Sequence, residues 1–334
     1  MALKRRVVWV SFSPVEKAPG GWTSKMASVR YRLLVPAAAL QDSHDSKVTH
    51  LAAGANRRTL LERFQGADAV ILGKLFSPFK EDPSQILALV EVLRERGTAV
   101  LADFSDDHFA DPVQGAAYRA LVNAVDRVVA STRDLAGLVG QHTRVPISVI
   151  TDPVEGPRGD AAAPAQPPYR LLWFGSTQNL DTLRYGAPQL ERTAPAVPHS
   201  LTLMTAAGAG AEAGPFPFLP WSTKALWAAL KECDAVVIPS NPHDPHKAVK
   251  SPNRFTESIW AGRFVLAHPL PAYQALADFG WVGEDLGEGL HWLAAHGDEA
   301  RQRIARGQAA VAERFAPGAI AAAWRAAIAD TKRS

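Results

Sequence analysis

The sequence predicts an α/β protein built from two successive doubly wound domains. Its 334 residues are about twice the length of a typical single domain. Short apolar runs alternate with helical patterns along most of the chain, as expected for parallel sheets covered by helices. A proline-rich stretch at residues 151–168 interrupts this alternation once. Together, these three observations favour two sheets joined by a linker.

The first half of the chain contains six runs of strand length that are rich in Val, Ile and Leu. They lie at residues 7–11, 47–51, 69–72, 99–103, 127–131 and 147–150. Helical patterns separate them at residues 28–40, 56–65, 83–96, 113–124 and 132–140. Because the strand runs are continuously apolar rather than alternating, they indicate a parallel sheet that is buried on both faces. Residues 1–150 are therefore predicted to form the first domain.

The second half repeats the rhythm after the linker. Residues 151–168 contain five prolines, which cannot continue a sheet and indicate a connection between domains. Strands are predicted at 169–174, 200–204, 235–239 and 264–267, and helices at 180–193, 222–231, 254–261, 273–277 and 287–314. The Ala-rich stretch 206–214 is interpreted as a loop. Residues 169–334 form the second predicted domain, with the last helix as a candidate to pack back on the first.

Composition limits the functional classes. A net charge of +3, with arginines spread along the chain, does not provide the concentrated basic face of a nucleic-acid-binding protein. The single cysteine, Cys233, excludes an intramolecular disulfide framework and a Cys-based zinc site, which suits the reducing cytoplasm. The mild basic excess is compatible with a phosphorylated ligand or with an anionic membrane surface. We therefore expect a cytoplasmic location, with peripheral association at the inner face of the membrane as the alternative.

The most informative loop follows the predicted strand at 235–239. Ligands of open parallel sheets bind outside the carboxyl ends of the strands, so the loops after strands are where a site is expected. Residues 250–262 read Lys-Ser-Pro-Asn-Arg-Phe-Thr-Glu-Ser-Ile-Trp-Ala-Gly. Pro252 favours a helix start, whose free amides attract anions, and Lys250 adds a cation. Glu257 lies one turn beyond Asn253 on the same face. This pattern is typical of a site for a nucleoside diphosphate.

This segment resembles the donor-binding segment of GT-B glycosyltransferases, of the bacterial group 1 or family 4 type. The resemblance implies two Rossmann-like domains with an interdomain cleft. It also implies phosphate contacts by Lys250, Ser251 and Asn253, and a ribose contact by Glu257. Arg254, in the same helical turn, is a further donor-binding candidate. Many retaining members carry a second Glu eight residues before the one equivalent to Glu257, where this chain has Val249.

The resemblance extends to other loops of both predicted domains. The strand 171–174 with the turn Gly175-Ser176 resembles the opening strand of the family's nucleotide domain, and Trp221 lies in a segment that resembles the loop flanking the nucleobase. Gly20 and Gly21, with Arg30 in the following helix, resemble a Gly-rich loop that approaches donor and acceptor. The same family resemblance covers residues 126–132 and the acidic loop after the fourth strand.

Candidate catalytic residues lie in two polar loops. The acidic loop supplies Asp106, Asp107 and His108, and a loop flanked by prolines supplies His243 as a candidate to face the donor sugar. Plain solvent-exposed loops remain the alternative at both places. A metal site is disfavoured, because the lysine and helix amides of segment 250–257 already provide for the phosphates. No cofactor is expected.

The sequence thus predicts transfer of a sugar from a nucleoside-diphosphate sugar to an acceptor hydroxyl, with a retaining and metal-independent mechanism. The acceptor would be a glycan or a lipid-linked glycan in the synthesis of a cell-surface polysaccharide or glycoconjugate. Epimerase and phosphorylase relatives are alternatives among enzymes. A catalytically degenerate GT-B protein, binding a nucleotide sugar or a glycan as a partner subunit, is the alternative outside them. A serine hydrolase and an NAD-dependent dehydrogenase are disfavoured, because their glycine motifs are missing from the sequence.

Overall fold

The computed structural model describes residues 4–18, 21–54, 62–162, 164 and 166–331. The chain divides into two compact units. The first unit contains the described residues of Met1–Pro153, Val249–Ser251 and Ala316–Ser334. The second unit contains those of Val154–Ala248 and Pro252–Phe315. The first unit is therefore formed by three separate segments of the chain.

The first unit is built on a six-stranded parallel sheet with a small hairpin beside it. Its strands, including the antiparallel hairpin β2–β3, are β1 Arg5–Ser11, β2 Glu16–Ala18, β3 Gly21–Thr23, β4 His44–His50, β5 Ala69–Leu72, β6 Ala99–Phe104, β7 Arg127–Ala130 and β8 Ile147–Val149. The order across the sheet is β4-β1-β5-β6-β7-β8. Its helices are Ala27–Val29, Val35–Ala39, Ser84–Glu95, Gly115–Ala124, Arg133–Val139 and Pro317–Thr331. A π-helical turn, Arg30–Leu34, joins the first two.

Successive residues of the first sheet are buried on opposite faces. In β1, Val8 and Val10 belong to one apolar cluster, whereas Val7 and Trp9 belong to another. This alternation follows from the pleat, which directs neighbouring side chains to opposite sides. The helix Pro317–Thr331 covers the second cluster, where the ring of Trp324 lies 4.8 Å from that of Trp9 in an edge-on arrangement.

The second unit has its own six-stranded parallel sheet. Its strands are β9 Tyr169–Phe174, β10 His199–Thr205, β11 Phe218–Pro220, β12 Ala235–Ile238, β13 Phe264–Ala267 and β14 Trp281–Val282, in the order β11-β10-β9-β12-β13-β14. Its α-helices are Leu183–Thr193, Thr223–Glu232, Pro245–Ala248, Asn253–Trp260, Pro271–Gln274, Leu286–Ala295 and Gly297–Arg314. Short 3₁₀ helices span Thr177–Thr182, Ala207–Ala213 and Ala277–Phe279.

The predicted α/β fold class is confirmed, and individual elements differ in places. The stretch 206–214, predicted as a loop, contains a 3₁₀ helix. The single helix predicted at 287–314 is two helices, because His296 has a non-helical backbone with φ −131° and ψ 40°. The helix predicted at 28–40 is interrupted by the π-helical turn. Most of the helix predicted at 56–65 lies outside the described residues.

Candidate functional site

The second sheet has a topological switch point between β9 and β12. Chain connections leave β9 in one direction towards β10 and β11, and in the other towards β12, β13 and β14. In such sheets, ligands bind in the crevice outside the carboxyl ends of the two central strands. The loops at this position begin at Gly175 after β9 and at Pro239 after β12. The predicted donor residues of the second unit follow these two strands, except Trp221, which follows β11.

The turn after β9 is closely packed on the side where Gly175 lacks a side chain. A Cβ atom at Gly175 would lie 3.3 Å from the ring of Trp173 and 3.7 Å from Nη1 of Arg254. The backbone amide of Gly175 donates to the carbonyl of Met204 on β10. A glycine at this position therefore avoids a tight contact with the ring of Trp173, and it leaves the turn with a guanidinium group beside it.

Arg254 is the most informative side chain of the second unit. It lies in the first turn of the helix Asn253–Trp260. Its Nη1 atom is buried and has no hydrogen-bond partner among the described residues. Buried donors are almost always satisfied in folded proteins, so an unsatisfied guanidinium nitrogen needs a ligand or a water molecule. A guanidinium beside a glycine turn and a helix start is suited to an anion such as phosphate.

A second cation near this turn was missed by the sequence analysis. Nζ of Lys247 donates to Oδ1 of Asn179 at 2.8 Å, and Nδ2 of Asn179 donates to Oγ of Ser176 at 3.1 Å. Lys247 is thus linked through one side chain to the predicted Gly175-Ser176 turn. It lies in the short helix Pro245–Ala248 of the segment that follows β12, so a search of every segment after a strand would have found it.

The remaining predicted residues of the second unit occupy different environments. Asn253 accepts a hydrogen bond from the amide of Arg254 through its side-chain oxygen, at 2.8 Å. Glu257 is almost completely buried, with 1% of its surface exposed. Trp221 is half-buried directly after β11, and its amide donates to the carbonyl of Thr205. His243 is exposed in the loop after β12.

A compact charged cluster lies at the carboxyl edge of the first sheet. Lys74 follows β5 and Asp106 follows β6, and these two strands are neighbours. Nζ of Lys74 contacts Oδ2 of Asp106 at 2.6 Å, and Nζ of Lys250 contacts Oδ1 of the same carboxylate. Nε2 of His108 lies 4.0 Å from Oδ2 of Asp106. Asp106, His108 and Lys250 were predicted from the sequence as site residues. Lys74 was not predicted, although Lys74 directly follows Gly73 at a strand end.

The environment of the cluster lowers the pKa values of both Asp106 and His108. Burial of Asp106 opposes its ionisation, but the ammonium groups of Lys250 and Lys74 outweigh this effect and hold the pKa of the carboxyl well below its usual range. Burial, together with the nearby Lys74 ammonium, lowers the pKa of His108 to about 4. Nε2 of His108 is buried and has no hydrogen-bond partner in the part of the chain that the structure describes. At neutral pH the cluster therefore combines a carboxylate, two cations and a neutral imidazole.

Two other contacts hold the backbone around Lys250. Oγ1 of Thr132 donates to the carbonyl of Val249 at 2.9 Å, and Oγ of Ser251 donates to Asp152. The other oxygen of Asp152 accepts from Nη1 of Arg32 at 3.0 Å. The backbone on both sides of Lys250 is therefore fixed, whereas 42% of its side chain is exposed.

The other predicted residues of the first unit have mainly local partners. Asp107 accepts a hydrogen bond from the amide of Phe109 at 2.9 Å. Arg30 is buried and donates from Nη1 to the carbonyl of Ser24 at 2.9 Å. Gly21 is exposed at the start of β3, with φ +147°. The prediction for Gly20 lies outside the described residues.

Two general features of the described residues bear on the predicted site. No group of three or more His, Cys, Asp or Glu side chains in the described ranges is placed to hold a metal ion. No described helix is long and apolar enough to cross a membrane.

Solved structures share this architecture at low sequence identity. HepE (Alr3699) from Anabaena, in complex with UDP and glucose, has a TM-score of 0.65 and 11% identity, covering 98% of this chain and 100% of that one. TarM from S. aureus has a TM-score of 0.60 and 11% identity over 83% and 57% of the two chains. The pneumococcal O-GlcNAc transferase GtfA, in complex with UDP and GlcNAc, has a TM-score of 0.56 and 12% identity over 83% and 60%.

No protein-family model and no curated protein matches the sequence. Likeness at 11–12% identity establishes the fold, and the chain has the GT-B fold that the sequence analysis predicted.

Proposed function

We propose that this chain is a glycosyltransferase that moves a sugar from a nucleoside-diphosphate sugar to an acceptor hydroxyl. The observation that carries the proposal is the buried Nη1 of Arg254, which is unsatisfied within the described residues and lies beside the Gly175 turn at the switch point of the second sheet. Support also comes from proteins of the same fold, since HepE was crystallised with UDP-glucose and GtfA with UDP and GlcNAc. A nucleoside diphosphate meets the requirement for an anion at this position.

In this proposal the donor is held mainly by the second unit. Arg254, Asn253 and the helix amides would bind the diphosphate together with the Gly175-Ser176 turn, while Lys250 would add a cation. Glu257 would bind the ribose and Trp221 would flank the base, the roles that the family resemblance implies. Preorganised donors of this kind stabilise the charge that develops on the leaving diphosphate. They support a metal-independent reaction.

The first unit would serve the acceptor. His108 is the proposed group to accept a proton from an acceptor hydroxyl, because it is neutral at physiological pH and its Nε2 atom is unsatisfied within the described residues, but a pKa of about 4 makes it a weak base. Asp106 is paired with two lysines, which favours an electrostatic role over proton transfer. Asp107 and His243 remain candidates for acceptor and donor-sugar contacts. A retaining reaction of the group 1 or family 4 type rests on the family resemblance, as do a hexosyl donor and a polysaccharide or lipid-linked acceptor. A peripheral membrane location rests on the mild basic excess of the chain.

One observation favours a second candidate, a GT-B protein that binds a nucleotide sugar without turnover. Val249 stands where many retaining relatives carry a glutamate, and it is 5% exposed within an apolar cluster of the first unit. A carboxylate cannot occupy this position without losing that packing. The donor-sugar contact of those relatives must therefore be absent here or be made by another residue.

The two candidates are separated by binding and turnover measurements. Thermal shift with UDP, GDP, ADP and TDP, with and without EDTA, should show stabilisation by one nucleotide, because a ligand of the folded state raises its melting temperature. Arg254→Met should abolish the shift. Arg192→Met, at a side chain that is 64% exposed in the same unit, should leave it unchanged.

Release of nucleoside diphosphate in the presence of an acceptor would then identify an enzyme, whereas binding without release would support the partner-subunit alternative. A wild-type protein that none of the four nucleotides stabilises would rule out the proposed donor site.

A further inference from the structure

The charged cluster of the first unit contains more positive charge than its pairing requires. Asp106 is one carboxylate with an ammonium group on each oxygen, Lys250 on Oδ1 and Lys74 on Oδ2. His108 adds no charge at neutral pH. One positive charge is therefore in excess, and the cluster can give up one lysine to an anionic ligand without leaving Asp106 unpaired.

The two lysines differ in their freedom to leave. The side chain of Lys250 is 42% exposed, whereas that of Lys74 is 25% exposed and that of Asp106 only 15%. Lys74 and Asp106 also follow two strands that are paired residue by residue, with Leu72 beside Ala102. The positions of Lys74 and Asp106 are thus fixed by the paired strands β5 and β6. Lys250 is the member of the cluster whose side chain can rotate away from Asp106.

The backbone on both sides of Lys250 is held by contacts within the first unit. Val249 is held through its carbonyl by Thr132, and Ser251 is held through its side chain by Asp152. A lysine side chain has four rotatable bonds and three donors, so rotation alone can redirect its ammonium group. Release of Lys250 from Asp106 is therefore a rotation of one side chain on a fixed backbone.

Lys74 determines how much free energy is needed to separate Lys250 from Asp106. A carboxylate that is largely buried is strongly destabilising once its last cation leaves, because burial penalises an unpaired charge. With Lys74 retained at 2.6 Å, Asp106 keeps a direct ion pair when Lys250 departs. Without Lys74, Lys250 would be the only cation among the described residues in contact with Asp106, and a ligand would have to compete with that buried pair.

We propose that Asp106 holds Lys250 in the donor-free protein and that Lys74 is a positioning residue, which releases Lys250 to the diphosphate of the donor by keeping Asp106 paired. This proposal rests on the proposed function, in which Lys250 binds the donor phosphates. It assigns to Lys74 a part in donor binding without contact to the donor.

The test is isothermal titration of the full-length protein with UDP, or with whichever nucleoside diphosphate stabilises it. Asp106→Asn frees Lys250 and should tighten binding about fivefold, equivalent to about 1 kcal/mol. Lys74→Met should weaken binding about fivefold. In the Asp106→Asn background, Lys74→Met should change the Kd by less than about twofold, because no carboxylate remains for Lys250 to compete with.

Matched variants control for effects on folding and on net charge. Asp126→Asn removes an ion-paired aspartate of the same unit that precedes β7, and Lys47→Met removes a lysine that is 60% exposed. Neither should alter the Kd. Lys74→Arg keeps the cation and should restore affinity, so the comparison of Lys74→Met with Lys74→Arg carries the test if Asp106→Asn does not fold.

The remaining outcomes each overturn the proposal. Weaker binding by Asp106→Asn would mean that the carboxylate orients Lys250 towards the ligand. An equal loss from Lys74→Met in both backgrounds would mean that Lys74 contacts the ligand directly. A wild-type protein that binds no nucleoside diphosphate would overturn the proposed function as well, whereas binding that is unchanged in Asp106→Asn would overturn the exchange alone.

Discussion

Arg32 forms buried ion pairs with two aspartates of the first unit. Its guanidinium group donates to Asp103 at 2.6 and 3.0 Å and to Asp152 at 3.0 Å, and all three residues are buried. Burial opposes the charge of Arg32, but the two carboxylates raise its pKa above its usual range. Because Asp152 also accepts from Ser251, the arginine is linked to the residue beside Lys250. One buried cation thus stabilises both the end of β6 and the segment that carries a proposed ligand residue.

His108 should make the stability of the protein depend on pH. Its pKa falls from an ordinary value of 6.5 to about 4 in the folded protein. Between these two values the unfolded chain binds a proton that the folded chain does not, so stability decreases as the pH falls through this window. We expect His108→Gln to lose less stability than the wild type between pH 7 and pH 5, measured by urea unfolding.

The matched control is His291→Gln, at an exposed position of the second unit. Equal losses for the wild type and His108→Gln would show that His108 is protonated in the folded protein over this range.

At the scale of single elements, the helix Asn253–Trp260 depends on the glycine that follows it. Gly262 has φ +79°, a conformation that residues with a side chain rarely adopt. A Cβ atom there would also collide with the carbonyl oxygen of Asp160. The helix that carries Arg254 and Asn253 therefore ends where the backbone of Gly262 is in close contact with the backbone of Asp160.

Gly262→Ala should destabilise the protein by about 2–4 kcal/mol, the sum of left-handed strain and steric overlap. Gly97→Ala separates the two effects, because Gly97 has φ +73° but nothing within 4 Å of its missing Cβ. We expect only about 1 kcal/mol from that control, measured by urea unfolding. A similar cost for both variants would mean that the segment at Asp160 moves aside without penalty.

The strands were predictable to the extent that they are buried. β5 and β13 are apolar runs of the predicted length, because parallel strands covered on both faces need apolar residues throughout. β11 and β14 contain three and two residues at the sheet edges and leave no such run. Their existence is decided by the neighbouring strand rather than by local pattern.

The site was predictable where one chain segment carries it and less so where strands meet. The helix start at Asn253 and Arg254 is readable from the local pattern of Pro, Asn and Arg. Lys74 was missed because its importance depends on Asp106, 32 residues away, which only the pairing of β5 with β6 brings into contact. Sequence spacing contains no record of that contact.

At the scale of the whole molecule, the first unit depends on the last helix of the chain. Trp324 is fully buried against Trp9 of β1, and the second unit has a separate apolar cluster. Trp324→Ala should cost about 3–5 kcal/mol, as expected for the loss of a buried tryptophan. Hydrogen exchange should then accelerate in β1 but not in β9, since each sheet has its own core.

Trp22→Ala is the control, because Trp22 is 50% exposed and its removal should alter exchange in neither sheet. Equal acceleration in β1 and β9 would show instead that the two units open together.

The final helix also sets an order of events during synthesis. β1 leaves the ribosome before the second unit, whereas Pro317–Thr331, which covers one face of the sheet of β1, leaves after it. At about 5–20 residues per second, the stretch between residues 153 and 331 takes roughly 10–40 s to synthesise. During that interval, while the second unit is synthesised, Trp9 and Ile71 lack the cover of the helix Pro317–Thr331. We therefore expect the nascent first unit to be the part of this protein that relies on chaperones.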